Sequence, residues 1–231
     1  MNLSVHWLSQ AGSITTDNRD IFAYVEHAHA SLYLIADGSS RHPLSGELAN
    51  ALLGKLLQVF SELQAFEANP EKLAHAMARS ITRYRESLHH VYPRAACSYL
   101  LLCVLANTAF SIHEGDCCLG CVESDGQIRW LSTVHCAANW QGNLSHAEIA
   151  KLPSRHTLSR CFSVRRQSNP EITHWSFSST QHWLLASDGF WAGLDPSQQQ
   201  TFLRDGHLST FAIDDDISCL RLSEVTTCPA I

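Results

Sequence analysis

Runs of apolar residues alternate along the chain with short polar stretches, and their periods separate predicted strands from predicted helices. A strand places alternate side chains on opposite faces, whereas a helix returns to the same face about every 3.6 residues. Nine runs of β-branched, aromatic and aliphatic residues, bounded by turn signals such as "SDGQ", are typical of strands. We predict strands at about 20–26, 31–36, 98–105, 108–114, 119–123, 128–132, 172–177, 182–187 and 217–222.

Two longer stretches have the apolar spacing of amphipathic helices, and a third, shorter stretch has the opening residues of a helix. The first is "SGELANALLGKLLQVFSELQAF" and the second is "NPEKLAHAMARSITRYRESLHHV". The second opens with Asn69 as an expected cap and Pro70 at the first helical position, and "DPSQQQTFLRDG" repeats this opening. Because no repeat, low-complexity tract or linker interrupts the pattern, we expect one domain over residues 1–231.

The composition is that of a protein with a sizeable core and little attraction to anionic surfaces. The 231 residues are 45% hydrophobic, with a formal net charge of −6 and a sequence pI near 6.1. No run of Lys or Arg concentrates the basic residues, which argues against nucleic acid and membrane surfaces as partners. The opening "MNLSVHWLSQ" lacks the features of a signal peptide, and no later segment is apolar enough to cross a bilayer, so we expect a cytoplasmic protein.

The nine cysteines lie mostly in apolar stretches such as "ACSYLLLCVL". An odd count in such surroundings favours reduced, buried thiols over a disulfide framework. Cys118 and Cys121 have the Cys-x-x-Cys spacing of a zinc site, but no second pair completes a tetrahedral set. We therefore interpret both as structural thiols of a hairpin strand.

Aspartates follow or precede several of the predicted strands. Asp37 ends "LYLIADG", Asp188 ends "HWLLASDG", Asp116 lies in "FSIHEGD", and residues 214–216 precede "ISCLRL". A single Asp-Gly is a common turn dipeptide. Several carboxylates at strand ends beside a core indicate either scattered solvated turns or one shared cation, because a buried charge needs a partner.

Taken in chain order, these blocks resemble the metal-dependent protein phosphatases of the protein phosphatase 2C type, in a divergent and bacterial-like form. "AGSITTDNRDIF" is similar to the family's opening block, and "LYLIADGSSRHPLSGELAN" is similar to its Ala-Asp-Gly-Met-Gly-Gly-His block. "FSIHEGDCCLGCVESDGQIRWLS" resembles the Val-Gly-Asp-Ser-Arg hairpin, "HWLLASDGFWAGL" the Ser-Asp-Gly-Leu-Trp block, and "DDISCLRL" the final strand. The resemblance covers nearly the whole chain, and the ordered set is specific although no single block is.

The resemblance implies an α+β fold, a four-layer αββα sandwich in which helices flank two antiparallel β-sheets and a binuclear metal site lies between the sheets. In the family's pattern, Asp37 bridges two metal ions, the Gly38 carbonyl binds one of them, and Asp188 and Asp215 bind the other. Asp20 then orders a metal-bound water. The implied ions are Mn²⁺ or Mg²⁺, because oxygen ligands suit hard cations.

The resemblance also implies an activity and further site residues. Asp116 would serve a weaker third metal, as in bacterial members, and His42 is a candidate proton donor to the leaving alkoxide. A solvated loop histidine is the equally weighted alternative for His42. The implied reaction is hydrolysis of phosphoserine and phosphothreonine in proteins, the targets of a Ser/Thr kinase, by direct attack of a water that bridges the metals.

Departures from the family pattern bear on activity. The phosphate-gripping Arg of the opening block falls on Thr15, and the acidic residue that precedes the block's Asp falls on Arg19. Arg41, which closely follows "ADG", is the hypothesised replacement for the missing guanidinium, and the alternative is that Arg41 points to solvent. The intact ligand set favours catalysis, whereas the missing Arg leaves open a non-catalytic relative that binds a phosphoprotein or a regulatory partner.

Overall fold

The described residues form ten strands and five α-helices, and each of the nine predicted strands has a counterpart among the ten. The computed structural model describes residues 3–63, 69–209 and 214–224 of the chain. Its strands are β1 (Leu3–Gln10), β2 (Asp20–Glu26), β3 (Ser31–Gly38), β4 (Cys97–Leu105), β5 (Thr108–Glu114), β6 (Cys118–Val122), β7 (Ile128–Trp130), β8 (Glu171–Ser176), β9 (His182–Ala186) and β10 (Ile217–Glu224). Its α-helices are α1 (Ser45–Leu63), α2 (Pro70–Ser87), α3 (His146–Ile149), α4 (Asp188–Trp191) and α5 (Pro196–Asp205), and two 3₁₀-helices span Ala137–Asn139 and Pro153–His156.

The strands form two antiparallel sheets of five strands each. The strand order is β1-β10-β9-β6-β7 in one sheet and β2-β3-β4-β5-β8 in the other. A cluster of buried side chains that includes Tyr33, Ile35, Leu100, Leu119 and Leu185 joins the two sheets. Each Å² of apolar surface that this inner layer removes from water contributes about 25 cal/mol to the free energy of unfolding. The layer is therefore a main source of the sandwich's stability.

Helices cover the outer faces of both sheets, which explains why β3 is apolar on both of its faces from Leu32 to Ala36. Leu32 and Leu34 belong to a cluster with α1 and α2, whereas Tyr33 and Ile35 point to the other sheet. On the opposite side of the molecule, Phe202 of α5 belongs to a third cluster that covers the first sheet. The predicted four-layer αββα sandwich is therefore confirmed.

Helix starts follow the predicted capping chemistry. The side chain of Asn69 accepts a hydrogen bond from the Lys72 N–H at 3.0 Å, and Pro70 is the first residue of α2. Asp195 caps α5 in the same way, with Gln198 completing a capping box. The first predicted helix is confirmed as far as Leu63, and its last predicted residues lie outside the described part of the chain.

Among the described strands, β1 alone has no counterpart in the sequence-based prediction. Leu3, Val5 and Trp7 alternate along it and contact the cluster between the sheets. The strand lies at a sheet edge and pairs with β10, with Leu3 opposite Glu224. A half-exposed edge strand whose partner lies more than 200 residues away carries only a weak local signal.

The thiol prediction is confirmed for the described part of the chain. Each of the eight cysteines there is buried and free, and Cys228 lies outside the described residues. Cys118 and Cys121 are both residues of β6, as the hairpin interpretation requires. No helix of the described residues is long and apolar enough to cross a membrane.

Candidate metal centre

Carboxylates meet at one end of the sandwich, where strands of both sheets begin or end. Asp20 opens β2 and lies opposite Asp37 of β3 in the ladder. Asp116 lies in the β5–β6 connection and Asp215 lies just before β10. Asp188 follows the end of β9 and begins α4. All of these except Asp20 line one cleft of about 400 Å³. The fold thus brings together carboxylates that stand up to 195 residues apart in the chain. We call the group of Asp20, Asp37, Asp116, Asp188 and Asp215 the acidic centre.

The four Asp-Gly dipeptides of the chain serve two different purposes. Gly126 and Gly206 have φ of +81° and +77°, the left-handed conformation in which glycine replaces other residues at turns and helix ends. Gly38 and Gly189, which follow two of the convergent aspartates, do not have positive φ. A Cβ at Gly38 would lie 2.7 Å from the backbone of α1, and one at Gly189 would lie 2.0 Å from the carbonyl oxygen before β10. At the acidic centre, glycine is needed so that a neighbouring backbone can pack against the residue after the aspartate.

Burial and mutual repulsion raise the pKa of the convergent carboxyl groups. Burial is the main cause for Asp20 and Asp37, and the nearby charge of Asp188 adds to the rise in both pKa values. Burial followed by the charge of Asp188 raises the pKa of Asp116 to about 7. The same two causes raise the pKa of Asp215 to about 6. A cation among these groups would relieve the repulsion that raises their pKa values.

Hydrogen bonds satisfy some of the carboxylate oxygens and leave one without a partner. The Ser187 hydroxyl donates to Oδ2 of Asp20 at 2.8 Å, and the Ser98 hydroxyl donates to Oδ1 of Asp116 at 2.5 Å. Oδ1 of Asp20 is buried and has no hydrogen-bond partner among the described residues. Because a buried unpaired oxygen is costly, this atom fits a centre that is completed by a hard cation or its bound water.

Of the three consecutive aspartates at 214–216, before β10, Asp216 binds the backbone and Asp215 faces the cleft. The carboxylate of Asp216 accepts hydrogen bonds from the backbone N–H groups of Gly12 at 2.9 Å and Arg19 at 2.8 Å. Asp216 therefore anchors the segment that leads into β2. Asp215 lines the cleft, which is the position that its predicted ligand role requires.

Arginines stand around the acidic residues and offer positive charge at the cleft. Nη1 of Arg155, in the second 3₁₀-helix, donates to Oδ2 of Asp188 at 2.9 Å. No motif in the sequence pointed to Arg155, because its segment has no helical or strand period. Other arginines line the cleft itself, namely Arg41, Arg94, Arg165 and Arg166. Arg41 lines the cleft but is exposed, so the replacement hypothesis and the solvent-facing alternative both stay predictions.

Like Asp20 and Gly38, the predicted site residues Thr15 and His42 do not line the cleft. The Thr15 hydroxyl donates to the backbone oxygen of Asp17 at 2.6 Å. Nδ1 of the half-buried His42 accepts a hydrogen bond from the Leu44 N–H at 3.2 Å. The Arg19 guanidinium is buried against Asp17 and the carbonyls of the loop after β3, so it braces that loop. The substrate role of Thr15 and the catalytic role of His42 stay predictions.

Comparison with known sequences and structures assigns the fold. A family model described as protein phosphatase 2C matches residues 13–211 of the chain. No curated protein matches the sequence at a significant level. The serine/threonine phosphatase of S. agalactiae superposes with a TM-score of 0.79 at 17% identity, over 96% of this chain and 100% of that chain.

Two further solved structures have the same architecture. The serine/threonine phosphatase Stp1 from Staphylococcus aureus superposes with a TM-score of 0.77 at 14% identity, over 96% of this chain and 95% of that chain. The catalytic domain of the serine threonine protein phosphatase PstP, in complex with 2 manganese ions, superposes with a TM-score of 0.66 at 15% identity, over 96% of this chain and 97% of that chain. At such identities the superpositions show the shared fold.

Proposed function

The chain belongs to the protein phosphatase 2C family of phosphoprotein phosphatases, and we propose that it hydrolyses phosphoserine and phosphothreonine in proteins with Mn²⁺ or Mg²⁺ as its cofactor. The observation that carries this proposal is the convergence of Asp37, Asp116, Asp188 and Asp215 on one cleft. The substrates would be phosphoproteins made by a Ser/Thr kinase. A single catalytic domain over residues 1–231 would contain all the groups that the reaction needs.

The donor set fits two hard divalent cations. Asp37 would contact both ions, the Gly38 carbonyl would contribute to one, Asp188 and Asp215 would hold the other, and Asp20 would orient a water. All of these donors are oxygens, which Mg²⁺ and Mn²⁺ prefer over the nitrogen and sulfur ligands of zinc. When bound, such ions lower the pKa of a shared water and neutralise charge on the phosphoryl oxygens. The unpaired buried oxygen of Asp20 and the 2 manganese ions of PstP support this assignment.

Asp116 is the candidate for a third, weaker ion. Its carboxylate lines the same cleft and already accepts a hydrogen bond from Ser98. Burial raises the pKa of Asp116 to about 7, so at neutral pH this carboxyl group is still partly protonated without a cation. An ion bound there would have to displace this proton, so its binding to Asp116 would strengthen as the pH rises.

Guanidinium groups of this chain would hold the phosphate. Arg41 lines the cleft, and Arg155 reaches its edge through the 2.9 Å contact with Asp188. A guanidinium binds phosphoryl oxygens through two charge-assisted hydrogen bonds, which also orient the group. His42 does not line the cleft. It would therefore have to change its side-chain position before it could donate a proton to the leaving oxygen.

The experiment that tests the proposal is a turnover assay with metal exchange. We expect hydrolysis of p-nitrophenyl phosphate and of a phosphothreonine peptide with Mn²⁺ or Mg²⁺, loss of both activities with a chelator, and recovery when Mn²⁺ is restored. Activity that is insensitive to the chelator would contradict the metal assignment. Absence of turnover with every divalent cation would contradict the enzymatic proposal.

One observation favours a second candidate, a non-catalytic phosphatase-like protein that binds a phosphoprotein or a regulatory partner. Thr15 stands where the family pattern has its phosphate-gripping Arg, and its hydroxyl is bonded to the backbone of Asp17. Such a protein would bind the phosphothreonine peptide with Mn²⁺ present, but it would leave the phosphate in place. Calorimetric binding of the peptide, followed by measurement of released phosphate in the same sample, distinguishes the two functions.

A further inference from the structure

Two histidines and a glutamate form a second group of possible metal ligands, next to the acidic centre but outside it. His113 on β5 lies directly opposite Glu171 on β8 in the ladder, and His135 follows β7. One ligand atom from each of the three lies within 4.8 Å of the other two. His113 is fully buried, His135 is 4% exposed, and the Glu171 side chain is 29% exposed.

Hydrogen-bond directions determine where the imidazole protons are. Nε2 of His113 lies 2.8 Å from the Thr133 carbonyl, which only accepts, so Nε2 carries the proton. Nδ1 of His113 then has a free lone pair, and it is buried without a hydrogen-bond partner among the described residues. This arrangement matches metal-binding histidines, in which the other ring nitrogen usually donates to a carbonyl or carboxylate.

His135 is held between Gly115 and Glu171. Its Nδ1 accepts a hydrogen bond from the Gly115 N–H at 3.3 Å, so its proton is on Nε2, which donates to Glu171 at 3.0 Å. The backbone of His135 is bonded on both sides, to Gly115 and to Ser159, each at 3.0 Å. Its ring stacks on that of His113 with 4.4 Å between centroids and 6° between planes. The backbone bonds hold the residue in place, but lone pairs in two nearly parallel ring planes do not meet at one point, so one ring has to turn before both imidazoles can bind the same ion.

We propose that a ring nitrogen of His113, Nε2 of His135 and a carboxylate oxygen of Glu171 bind one divalent transition-metal ion of the zinc class, at a site separate from the acidic centre. Two imidazoles and a carboxylate are a donor set that zinc accepts and that Mg²⁺ does not favour. His135 and Glu171 line a second cleft of about 650 Å³, so the ion would keep an open coordination position towards it.

Binding requires the cluster to rearrange, because the two imidazole rings are stacked in parallel. Ligands bound to zinc at about 2.0–2.1 Å in a tetrahedron lie about 3.3 Å apart, so the longest of the present separations has to shorten by at most about 1.5 Å. The His135 proton has to move from Nε2 to Nδ1, which gives up the 3.3 Å contact with Gly115. Arg160, whose Nη1 lies 3.6 Å from Glu171, competes with the ion for this carboxylate.

The ion would tie together the two ends of the segment between β7 and β8. His135 lies near the start of this segment and Glu171 lies just after its end. Arg155 is part of the segment and contacts Asp188 at the acidic centre. A metal that joins the segment's ends to β5 restricts its motion and thereby helps to keep Arg155 at the cleft.

A cobalt titration of the full chain tests the proposal. With Mg²⁺ saturating, we expect one further Co²⁺ per chain, with ligand-field absorption in the visible region and without the near-ultraviolet thiolate-to-cobalt band that cysteine ligation produces. Zn²⁺ should displace this Co²⁺ and should slow amide hydrogen exchange in residues 131–170. Asp37→Asn should bind Co²⁺ as the parent does, because the site is independent of the acidic centre.

Variants of the ligands decide whether these three residues form the site. Loss of an outer contact to a metal ligand typically costs 10–100-fold in affinity, so loss of the ligand itself in Glu171→Gln or His135→Gln should cost at least about 100-fold. The control is His174→Gln, which removes an exposed imidazole from β8 and should leave Co²⁺ affinity unchanged. Circular dichroism and melting temperature identify any variant that fails to fold, and Glu171→Gln is the conservative variant in that case.

Several outcomes would overturn the proposal. They are the absence of Co²⁺ binding beyond the Mg²⁺-occupied centre, a thiolate-to-cobalt band, loss of Co²⁺ binding in Asp37→Asn, and unchanged affinity in folded Glu171→Gln.

Discussion

The acidic centre and the histidine cluster are neighbours with opposite electrostatics. Their two clefts share Cys161 and Arg166 in their walls. In the acidic centre, burial and like charges raise the carboxyl pKa values, to about 7 for Asp116. In the histidine cluster, the hydrogen bond from His135 lowers the pKa of Glu171 to about 2, and burial lowers the pKa of His113 to about 4.

This difference separates a site that needs a cation from one that only accommodates it. The carboxylates of the acidic centre repel one another until a cation neutralises them, as their raised pKa values indicate. The histidine cluster contains two neutral rings and one hydrogen-bonded carboxylate, so it is already stable without an ion. The donor atoms differ in the same way, because one site has only oxygens and the other has two nitrogens.

The largest expected effect comes from neutralising a carboxylate of the acidic centre. Asp37→Asn and Asp188→Asn should each lower kcat/KM by about 1,000-fold, because metal charge stabilisation is worth several kcal/mol and about 1.4 kcal/mol is tenfold. Mn²⁺ affinity, measured by calorimetry, should fall in parallel. The matched control is Asp125→Asn, an exposed aspartate of the β6–β7 turn that also precedes glycine. Full activity in both centre variants would refute the metal assignment.

Metal-dependent stability should separate the two sites. A ligand that binds only the native state at 100 times its Kd adds about 2.7 kcal/mol, which for a chain of this size raises the Tm by about 5–10 °C. Mn²⁺ should therefore raise the Tm and a chelator should lower it again. Asp37→Asn should lose this shift, whereas Glu171→Gln should keep it. A Tm that ignores both Mn²⁺ and chelator would mean that the carboxylates do not share a cation.

Phosphate binding tests the arginines of the acidic cleft. Arg41→Ala and Arg155→Ala should each raise the KM for a phosphothreonine peptide about tenfold, since a hydrogen bond to a charged group is worth about 1.5–3 kcal/mol. Thr15→Arg should recover part of the loss in the Arg41→Ala background. Arg129→Ala, which removes an exposed arginine of β7, is the control. Steady-state kinetics identical to the parent for Arg41→Ala would exclude the replacement hypothesis.

The last expected effect is the pH dependence of stability in the presence of a chelator. The native pKa of Asp116 is raised to about 7 from an ordinary value of 3.8, so between these pH values the native state binds more protons than the unfolded state. The free energy of unfolding contributed by Asp116 therefore falls as pH rises through this window. Asp116→Asn removes the contribution, so its Tm relative to the parent should increase from pH 4 to pH 7. A constant Tm difference across that range would contradict the raised pKa.

Local patterns predicted the elements better than their arrangement. Helix caps such as Asn69 and strands such as β3 follow from neighbouring residues, since propensity, capping and apolar period act over a few positions. Such local patterns do not predict which strands pair or in which register, and β1 shows why. Its apolar alternation is short, and its pairing partner is β10, at the other end of the chain.

The sequence by itself determined which residue types stand at the strand ends and hence the chemistry of the acidic centre, in part through the order of its motifs. Only the tertiary structure decided that the Asp216 carboxylate accepts hydrogen bonds from the backbone of Gly12 and Arg19, and that Arg155 reaches Asp188. The same is true of the cluster of His113 and Glu171, which meet only because β5 and β8 pair in this register. Such contacts depend on the packing of two sheets and on strand register, which set distances between residues far apart in the chain and leave no period in the local sequence.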